Sequence, residues 1–197
     1  MNLWYNISEN NKEIWPKNQG GLNLKRIIEL IGMWDLIIFY TVNDKIKSDI
    51  SDKLIPYFTE FGSWWFTTFA CLLTILLGKE KTRSTGIEAA ASLVAGSLLV
   101  QLLKKKINRE RPYLAILNVN TFNKLWKDHS FPSGHTAAAF EVAVSMSFGY
   151  PNLYLLFIGL ATMVGVSRIY VGMHYPTDVL IGAALGSSMS ILTHILI

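Results

Sequence analysis

The sequence has little cysteine and little charge. Its single cysteine, Cys71, cannot form an internal disulfide or a thiolate metal site, and we interpret it as a side chain that fills the core. No cluster of carboxylate, histidine or cysteine ligands is present for a metal, so we expect neither a metal nor a cofactor. Charged residues make up 16% of the chain, against roughly 25% in an ordinary soluble domain. A soluble bundle of buried helices is the alternative to a membrane protein, but it would retain little polar surface.

Long apolar runs occupy the stretches that lack charge. A bilayer span needs about 20 mostly apolar residues, and six runs approach this length, near residues 26–43, 59–78, 85–104, 134–149, 151–170 and 177–197. We therefore predict an all-α fold in which residues 26–197 form one bundle of six transmembrane helices. Glu29 and Asp35 interrupt the first span, and each could face a water-filled cavity or a polar partner.

Two further stretches are polar with interspersed aromatic residues. Residues 1–25 carry Trp4, Tyr5 and Trp15 near basic residues, which predicts a segment at the membrane surface, with a disordered tail as the alternative. Residues 113–131 mix apolar and polar side chains and predict an interfacial loop or short helix between helices 3 and 4. The net charge of +4 is too small and dispersed to indicate nucleic acid, but it suits an anionic membrane or substrate.

Three segments place cations, hydrogen-bond donors or histidines at helix ends. The third span ends in a basic stretch, the fourth begins with a Pro-Ser-Gly-His sequence, and a histidine and an aspartate flank the start of the sixth. In an alternating bundle these places fall on one side of the membrane, and cations beside a helix N-terminus are typical of a phosphate site. The candidate phosphate-binding residues are Lys104, Arg111, Ser133, Gly134 and Arg168. For Lys105, Lys106 and Arg109 we expect only contact with lipid headgroups.

Two histidines supply the chemistry that such a site needs. His174 lies just before a helix whose first turn contains Asp178, so the carboxylate can orient the imidazole. We predict that His174 attacks phosphorus and that His135 protonates the departing oxygen as the general acid. A structural hydrogen bond is the alternative explanation for the His174–Asp178 spacing.

Taken together, the three segments resemble the signature of the type 2 phosphatidic acid phosphatase (PAP2) superfamily. The pattern is Lys104-x6-Arg111-Pro112, then Pro132-Ser133-Gly134-His135, then Ser167-Arg168-x5-His174-x3-Asp178, with every motif position filled. The apolar runs indicate the membrane branch. The resemblance implies a metal-independent lipid phosphatase that forms a phosphohistidine at His174.

The resemblance also suggests substrates and sidedness. Bacterial members act on lipid phosphates such as undecaprenyl pyrophosphate, phosphatidylglycerol phosphate or phosphatidic acid, with the site facing outward. Many dedicated undecaprenyl pyrophosphate phosphatases carry aspartate where this chain has Gly134. Undecaprenyl pyrophosphate is therefore a less favoured substrate than the other lipid phosphates, though it is not excluded. Basic residues number seven on the side of the N-terminus and ten on the site side, so charge alone does not fix the orientation. We expect a multi-pass protein of the cell membrane with an extracytoplasmic site.

Two other functional classes remain open from the sequence. A phosphotransferase would pass the phosphoryl group to an alcohol, and a non-catalytic binding or transport protein would hold the same lipid phosphate unchanged. In every case the expected partners are a lipid phosphate and the membrane, without nucleic acid or an obligatory protein partner.

Glu141 is the only acidic residue in the fourth apolar run. An acidic residue at mid-span costs about 2.5–3.5 kcal/mol on insertion scales. It lies six residues beyond His135 and about 120° around the helix from it, so it need not face the phosphate. We expect a structural partner on a neighbouring helix, or a protonated carboxyl bonded to a hydroxyl or carbonyl. The functional alternative is a carboxylate that holds a site residue in place.

Overall fold

The computed structural model describes residues 24–122 and 128–197, and these residues form helices and loops without a β-strand. The helices are α1 (Leu24–Tyr40), α2 (Asp49–Glu60), α3 (Trp64–Leu77), α4 (Glu80–Ile107), α5 (Pro112–Ala115), α6 (Gly134–Gly149), α7 (Tyr154–Tyr170) and α8 (Pro176–Leu196). A π-helical turn, Thr41–Lys45, extends α1, and a 3-10 turn, Pro151–Leu153, precedes α7. The all-α prediction is confirmed. Almost all of the predicted surface segment 1–25 lies outside the described residues.

The predicted count of six spans is not confirmed by helix length and hydropathy. Among the described residues, three helical stretches are long and apolar enough to cross a membrane, namely Glu80–Ala115, Pro151–Tyr170 and Pro176–Leu196. Helices α2 and α3 would add a fourth if they act as one span, bent by 56° at their junction. Helix α6 has 16 residues, fewer than the about 20 that a span needs, and α1 has 17 with charged residues among them.

Helix starts follow local sequence signals. Ser48 caps α2, where its hydroxyl accepts a hydrogen bond from the Ser51 N–H and the Ser51 hydroxyl accepts one from the Ser48 N–H. Ser63 caps α3 by accepting from the N–H of Phe66. Proline opens α5 and α8, where its fixed backbone angle suits the first helical position. Because Ser63 caps α3, a new helix begins there, and this sets the bend between α2 and α3.

Helix α6 lies at the centre of the bundle and packs against α4, α7 and α8. Its buried positions are mostly small residues, among them Ala137, Ala139, Ala143 and Ser145. Small side chains let neighbouring helices approach closely, which is how helices associate in a membrane. This packing fixes the N-terminus of α6 between the C-terminal end of α4 and the start of α8.

Asn43 joins three separate parts of the chain at one end of the bundle. Its buried side chain donates to the carbonyl of Asn120 at 2.9 Å and to that of Tyr170 at 2.7 Å. Its Oδ1 accepts from the Asn120 N–H at 2.9 Å. The turn after α1, the loop after α5 and the end of α7 are thereby held together. Asn120 belongs to the predicted interfacial loop 113–131, so this part of the loop packs against the bundle.

We expect Asn43→Ala to lower the stability of the purified protein. The substitution leaves two carbonyls and one N–H without their partner, and each such buried group costs about 1–3 kcal/mol. The midpoint of thermal unfolding in detergent should fall by several degrees. Asn152→Ala, an exposed asparagine ahead of α7, is the matched control and should leave the midpoint unchanged. Equal midpoints for both variants would contradict the role of Asn43.

Candidate active site

A cavity of about 410 Å³ lies where α4 ends and α6 begins. It is lined by the predicted site residues Lys104, Arg111, Gly134, His135, Arg168 and His174. Residues as far apart in sequence as Lys104 and His174 thus meet in one cavity, as the alternation of the helices predicted. Ser133 and Asp178, two further predicted residues, are buried behind this lining.

Each cation is positioned by a helix end. Lys104 lies in the last turn of α4, Arg111 is the residue that precedes α5, and Arg168 lies in the last turn of α7. Arg168 is 4% exposed, and its Nη1 donates to the Thr59 hydroxyl at 2.5 Å. Its buried Nε has no hydrogen-bond partner among the described residues. Part of this guanidinium therefore remains available to an anionic oxygen.

A tight turn returns the chain from Arg168 to His174. Gly172 adopts φ +76°, and a Cβ there would lie 2.7 Å from the Asn120 carbonyl oxygen. A residue with a side chain would be strained and would also collide with the loop. The N–H of His174 donates to the Arg168 carbonyl at 3.2 Å, which fixes the histidine beside the arginine.

Asp128, which was not predicted from the sequence, compensates the charges of two of the cations. Its Oδ2 lies 2.6 Å from Lys104 Nζ and its Oδ1 lies 2.6 Å from Arg111 Nη2. Partial burial would raise the pKa of this carboxyl, but its hydrogen bonds to Lys104 and Arg111 and their charges outweigh that effect and lower the pKa to about 2. The Asp128 carboxylate, which is 46% exposed, thus holds the groups that were expected to bind phosphate.

His174 is buried, and its two ring nitrogens lie in different surroundings. Nε2 lies 3.2 Å from Arg111 Nη1, and because a guanidinium can only donate, Nε2 must accept. The proton is then on Nδ1, which lies 3.6 Å from Asp178 Oδ2, an ion-pair distance longer than a hydrogen bond. Burial and the positive charges of Arg111 and Arg168 hold the pKa of His174 well below its usual range. The lone pair therefore lies on the nitrogen that faces Arg111.

Arg109 does not extend to lipid headgroups as the sequence analysis expected. Its Nη1 lies 2.7 Å from Asp178 Oδ1 and its Nη2 lies 2.7 Å from Asp35 Oδ2. Asp35 is 3% exposed and also accepts from the Thr177 N–H at 2.8 Å. Asp35 thus has the polar partner that its place in an apolar run suggested. Lys105 and Lys106, by contrast, are exposed as expected.

Asp178 is fixed from two sides, which leaves little freedom to its carboxylate. Oδ1 is held by Arg109, and Oδ2 accepts from the Tyr175 N–H at 2.9 Å. The guanidinium of Arg109 also stacks over the Tyr175 ring, 4.0 Å from its centroid. Asp178 and Asp35, which are buried, form a network directly behind His174 with the partly buried Arg109 and Thr177, and we call it the support network.

Ser133 occupies a supporting position at the start of α6. Its N–H donates to the Asp178 carbonyl at 3.0 Å, and its hydroxyl lies 2.9 Å from that of Thr136. The first of these contacts ties the start of α6 to α8 immediately behind the two histidines. The predicted donation from the Ser133 hydroxyl to phosphate stays a prediction, whereas Gly134 lies at the cavity wall.

Glu141 contradicts our expectation of a structural partner. It is 1% exposed and lines the same cavity as the two histidines, yet its Oε1 has no hydrogen-bond partner among the described residues. The carboxyl is pressed against Gly96 of α4, where a Cβ would lie 1.7 Å from Oε1. Glu141 therefore lines the cavity, although its angular position on the helix did not require it to do so.

Sequence signals for the residues we missed were weak. Asp128 lies five residues before Ser133, but nothing in its neighbours showed that the loop turns back to Lys104. Arg109 lies two residues before Arg111 in a run of basic residues, where headgroup contact was the simpler interpretation. Asp35 was the clearest signal, because an acidic residue in an apolar run needs a water-filled cavity or a polar partner.

Comparison with known proteins links this geometry to a family. Residues 85–197 match the sequence model of the PAP2 superfamily. The bacitracin transport permease protein BcrC of Bacillus licheniformis is 30% identical over 148 residues, which cover 75% of this chain and 73% of that protein. The undecaprenyl-diphosphatase of Sulfolobus acidocaldarius is 32% identical over 143 residues, covering 71% of this chain and 68% of that protein.

A solved structure has the same fold. The first transmembrane PAP2 type phosphatidylglycerolphosphate phosphatase from Bacillus subtilis matches with a TM-score of 0.70 and 26% sequence identity. The match covers 85% of this chain and 86% of that one. The similarity extends over the bundle and is not confined to the motif segments.

We expect Asp128→Asn to strengthen the binding of small tetrahedral anions. The carboxylate occupies donors of Lys104 and Arg111, and a charge-assisted hydrogen bond of this kind is worth about 1.5–3 kcal/mol. The dissociation constant for orthovanadate or inorganic phosphate, measured by calorimetry, should therefore fall by about tenfold or more. Glu80→Gln, which makes the same change in net charge at an exposed position at the start of α4, should leave it unchanged. Weaker binding in Asp128→Asn would contradict this assignment.

Proposed function

The chain belongs to the PAP2 superfamily and is a membrane phosphatase, and we propose that it hydrolyses the terminal phosphate of a lipid monophosphate or pyrophosphate through a phosphohistidine on His174. The observation that carries this proposal is a single cavity lined by three cations and two histidines, in which His174 Nε2 lies 3.2 Å from Arg111 Nη1 and the pKa of His174 is held well below its usual range. Cations that surround an in-line displacement stabilise the charge on the phosphoryl oxygens. A neutral imidazole is the form that can attack.

The proposed reaction has two steps, and both histidines act in each. Nε2 of His174 forms a bond to phosphorus while the bond between phosphorus and the lipid oxygen breaks, and His135 gives that oxygen a proton. A water molecule then attacks the phosphohistidine, His135 takes a proton from the water, and inorganic phosphate leaves. Lys104, Arg111 and Arg168 bind the phosphoryl oxygens in both steps. Arg111 exchanges its contacts with Asp128 and His174 for the substrate.

We further propose that the support network positions His174. An imidazole with its proton on Nδ1 needs an acceptor on that side, and Asp178 Oδ2 is 3.6 Å away. Arg109 holds the other oxygen of Asp178 and is itself held by Asp35. Because Asp35 comes from α1, the first helix contributes to the alignment of the nucleophile without touching the substrate. Arg109 and Asp35 are therefore positioning residues.

The finer topology and orientation are also proposals. We propose that α1 and α6 complete six membrane crossings despite their length, since α6 is buried at the centre of the bundle and Asp35 joins α1 to Arg109 and to the start of α8. We place the cavity on the extracytoplasmic face of the cell membrane, as expected from the family. The names of the relatives provide two candidate substrates, undecaprenyl pyrophosphate and phosphatidylglycerol phosphate.

The name of the Bacillus licheniformis relative suggests a second candidate function, transport. A transport permease would bind a lipid phosphate and leave it unchanged. Release of inorganic phosphate from a lipid in detergent micelles separates the two functions, because transport without hydrolysis yields none. Formation of a phosphorylated alcohol when an acceptor alcohol is added would instead indicate a phosphotransferase.

We expect the purified protein to release phosphate from at least one lipid of a panel, with the activity retained in a chelator. The panel comprises phosphatidylglycerol phosphate, phosphatidic acid and undecaprenyl pyrophosphate. His174→Ala should lower kcat by about a thousandfold or more at an unchanged thermal midpoint, since no other described group is placed to attack phosphorus. Loss of activity on chelation that Mg²⁺ restores would contradict the mechanism.

The activity of His135→Ala should be partly restored on a substrate that has an acidic leaving group. If His135 protonates the departing oxygen, a phosphate ester of an acidic phenol needs that proton much less than a lipid ester does. The ratio of kcat for the phenyl ester to kcat for the lipid should therefore rise by about tenfold or more in His135→Ala. The same ratio in His174→Ala should not rise, because both substrates need the nucleophile. Equal losses for both substrates in His135→Ala would contradict its role as the acid.

Arg109→Ala should lower kcat by about tenfold to a hundredfold with little change in KM, because a misaligned nucleophile slows the chemical step. Without Arg109, the Asp178 carboxylate stabilises protonated His174 more strongly, so the pKa of His174 rises and the acidic limb of the pH–rate profile moves to higher pH. Arg109→Lys should recover only part of kcat, since an ammonium cannot bridge two carboxylates as a planar fork does. Lys105→Ala is the exposed control. An unshifted acidic limb in Arg109→Ala would show a merely structural role.

A further inference from the structure

Glu141 is a buried acidic residue for which the proposed two-step reaction has no use. It lies in α6, where an ionisable side chain in an apolar span is costly and is usually retained for function. The described residues offer no hydrogen-bond partner to its Oε1. Gly96 provides the space for the carboxyl, since any larger residue would overlap it. The helix pair α4–α6 is therefore shaped around a carboxyl whose Oε1 has no hydrogen-bond partner in the described part of the chain.

The carboxyl belongs to the cavity that receives the phosphate. Glu141 and His135 line that same cavity, together with Ala137 and Ala138, which lie between them on α6. Six residues along a helix correspond to about 9 Å. Because helical side chains point toward the N-terminus, the carboxyl lies closer to His135 than the backbone positions suggest. A ligand whose phosphate is held by the cations would place its next few atoms toward Glu141.

We propose that Glu141 binds a free hydroxyl on the leaving group of the substrate, close to the phosphate that is removed. This inference rests on the proposed phosphatase function and narrows its substrate class. A hydroxyl can both donate and accept, so it pairs with a carboxyl in either protonation state. Leu93, Val94 and Val100 of the same lining are apolar and cannot pair with a hydroxyl, whereas Thr67, Thr68, Ser97 and Gln101 are uncharged polar residues of that lining.

This subsite separates the candidate lipids by their chemistry. In phosphatidylglycerol phosphate, the glycerol that carries the terminal phosphate has a free hydroxyl on the neighbouring carbon. Phosphatidic acid and undecaprenyl pyrophosphate have no free hydroxyl in their leaving groups. A buried group that pairs with a substrate hydroxyl is left unpaired by a substrate that lacks it, so the substrate without a hydroxyl is disfavoured. Glu141 therefore selects a lipid phosphate of the polyol type.

The test is a double cycle of one substitution in the protein and one in the substrate. The substrates are phosphatidylglycerol phosphate and its analogue with 1,3-propanediol in place of glycerol, which lacks only the hydroxyl. The proteins are the unaltered chain and Glu141→Leu, and kcat/KM is measured for all four combinations. We expect the unaltered protein to prefer the hydroxylated lipid by about tenfold or more. In Glu141→Leu that preference should fall to about one.

Two further variants test whether a change in substrate preference comes from the carboxyl itself and not from a general loss of folding. Glu141→Gln keeps a hydrogen-bonding group in place and should retain part of the preference. Gly96→Ala should displace the carboxyl and reduce the preference as Glu141→Leu does. The thermal midpoint and the inhibition by orthovanadate report separately on the fold and on the phosphate-binding cations.

The outcomes distinguish this inference from the proposed function. If the unaltered protein hydrolyses both lipids equally, or if Glu141→Leu slows both by the same factor, the hydroxyl subsite is wrong while the phosphatase proposal stands. If the unaltered protein releases no phosphate from any lipid of the panel, the phosphatase proposal itself fails.

Discussion

The concentration of positive charge at one end of an apolar bundle is the constraint on which the rest of the site depends. Lys104, Arg111 and Arg168 repel one another, and burial removes the water that would otherwise solvate them. Asp128 offsets this by holding two of the three at 2.6 Å. Burial and the same positive field hold the pKa of His174 well below its usual range. Caps, the turn at Gly172 and the central helix α6 all serve to hold these charges against their repulsion.

Much of the fold and of the site could be predicted because the signals were local. Apolar runs indicated helices, and the motif residues lie at helix ends, so simple alternation of the chain brought Lys104, His135 and His174 together. The count of six spans was less secure, since α6 is short and is sheltered by its neighbours rather than by its own length. Length and hydropathy are properties of one helix, and they do not describe the neighbouring helices that surround it.

The residues that escaped prediction share one property: their partners come from distant segments. Arg109 looked like one more basic residue at the end of a helix, and only the path of α1 places Asp35 beside it. Asp128 depends on a loop that returns to α4, and Glu141 depends on a glycine in another helix. Periodicity and spacing describe one segment at a time, so pairings between segments remained beyond their reach.

The contact between Arg111 and His174 has a consequence for how this histidine meets other ligands. A neutral imidazole with a free Nε2 is a favoured ligand of zinc and copper ions. Here a guanidinium lies 3.2 Å from that nitrogen, and a second arginine and a lysine line the same cavity. A divalent cation would have to displace one positive group and approach two more. The arrangement thus shields the histidine from trace metals while leaving it open to anions.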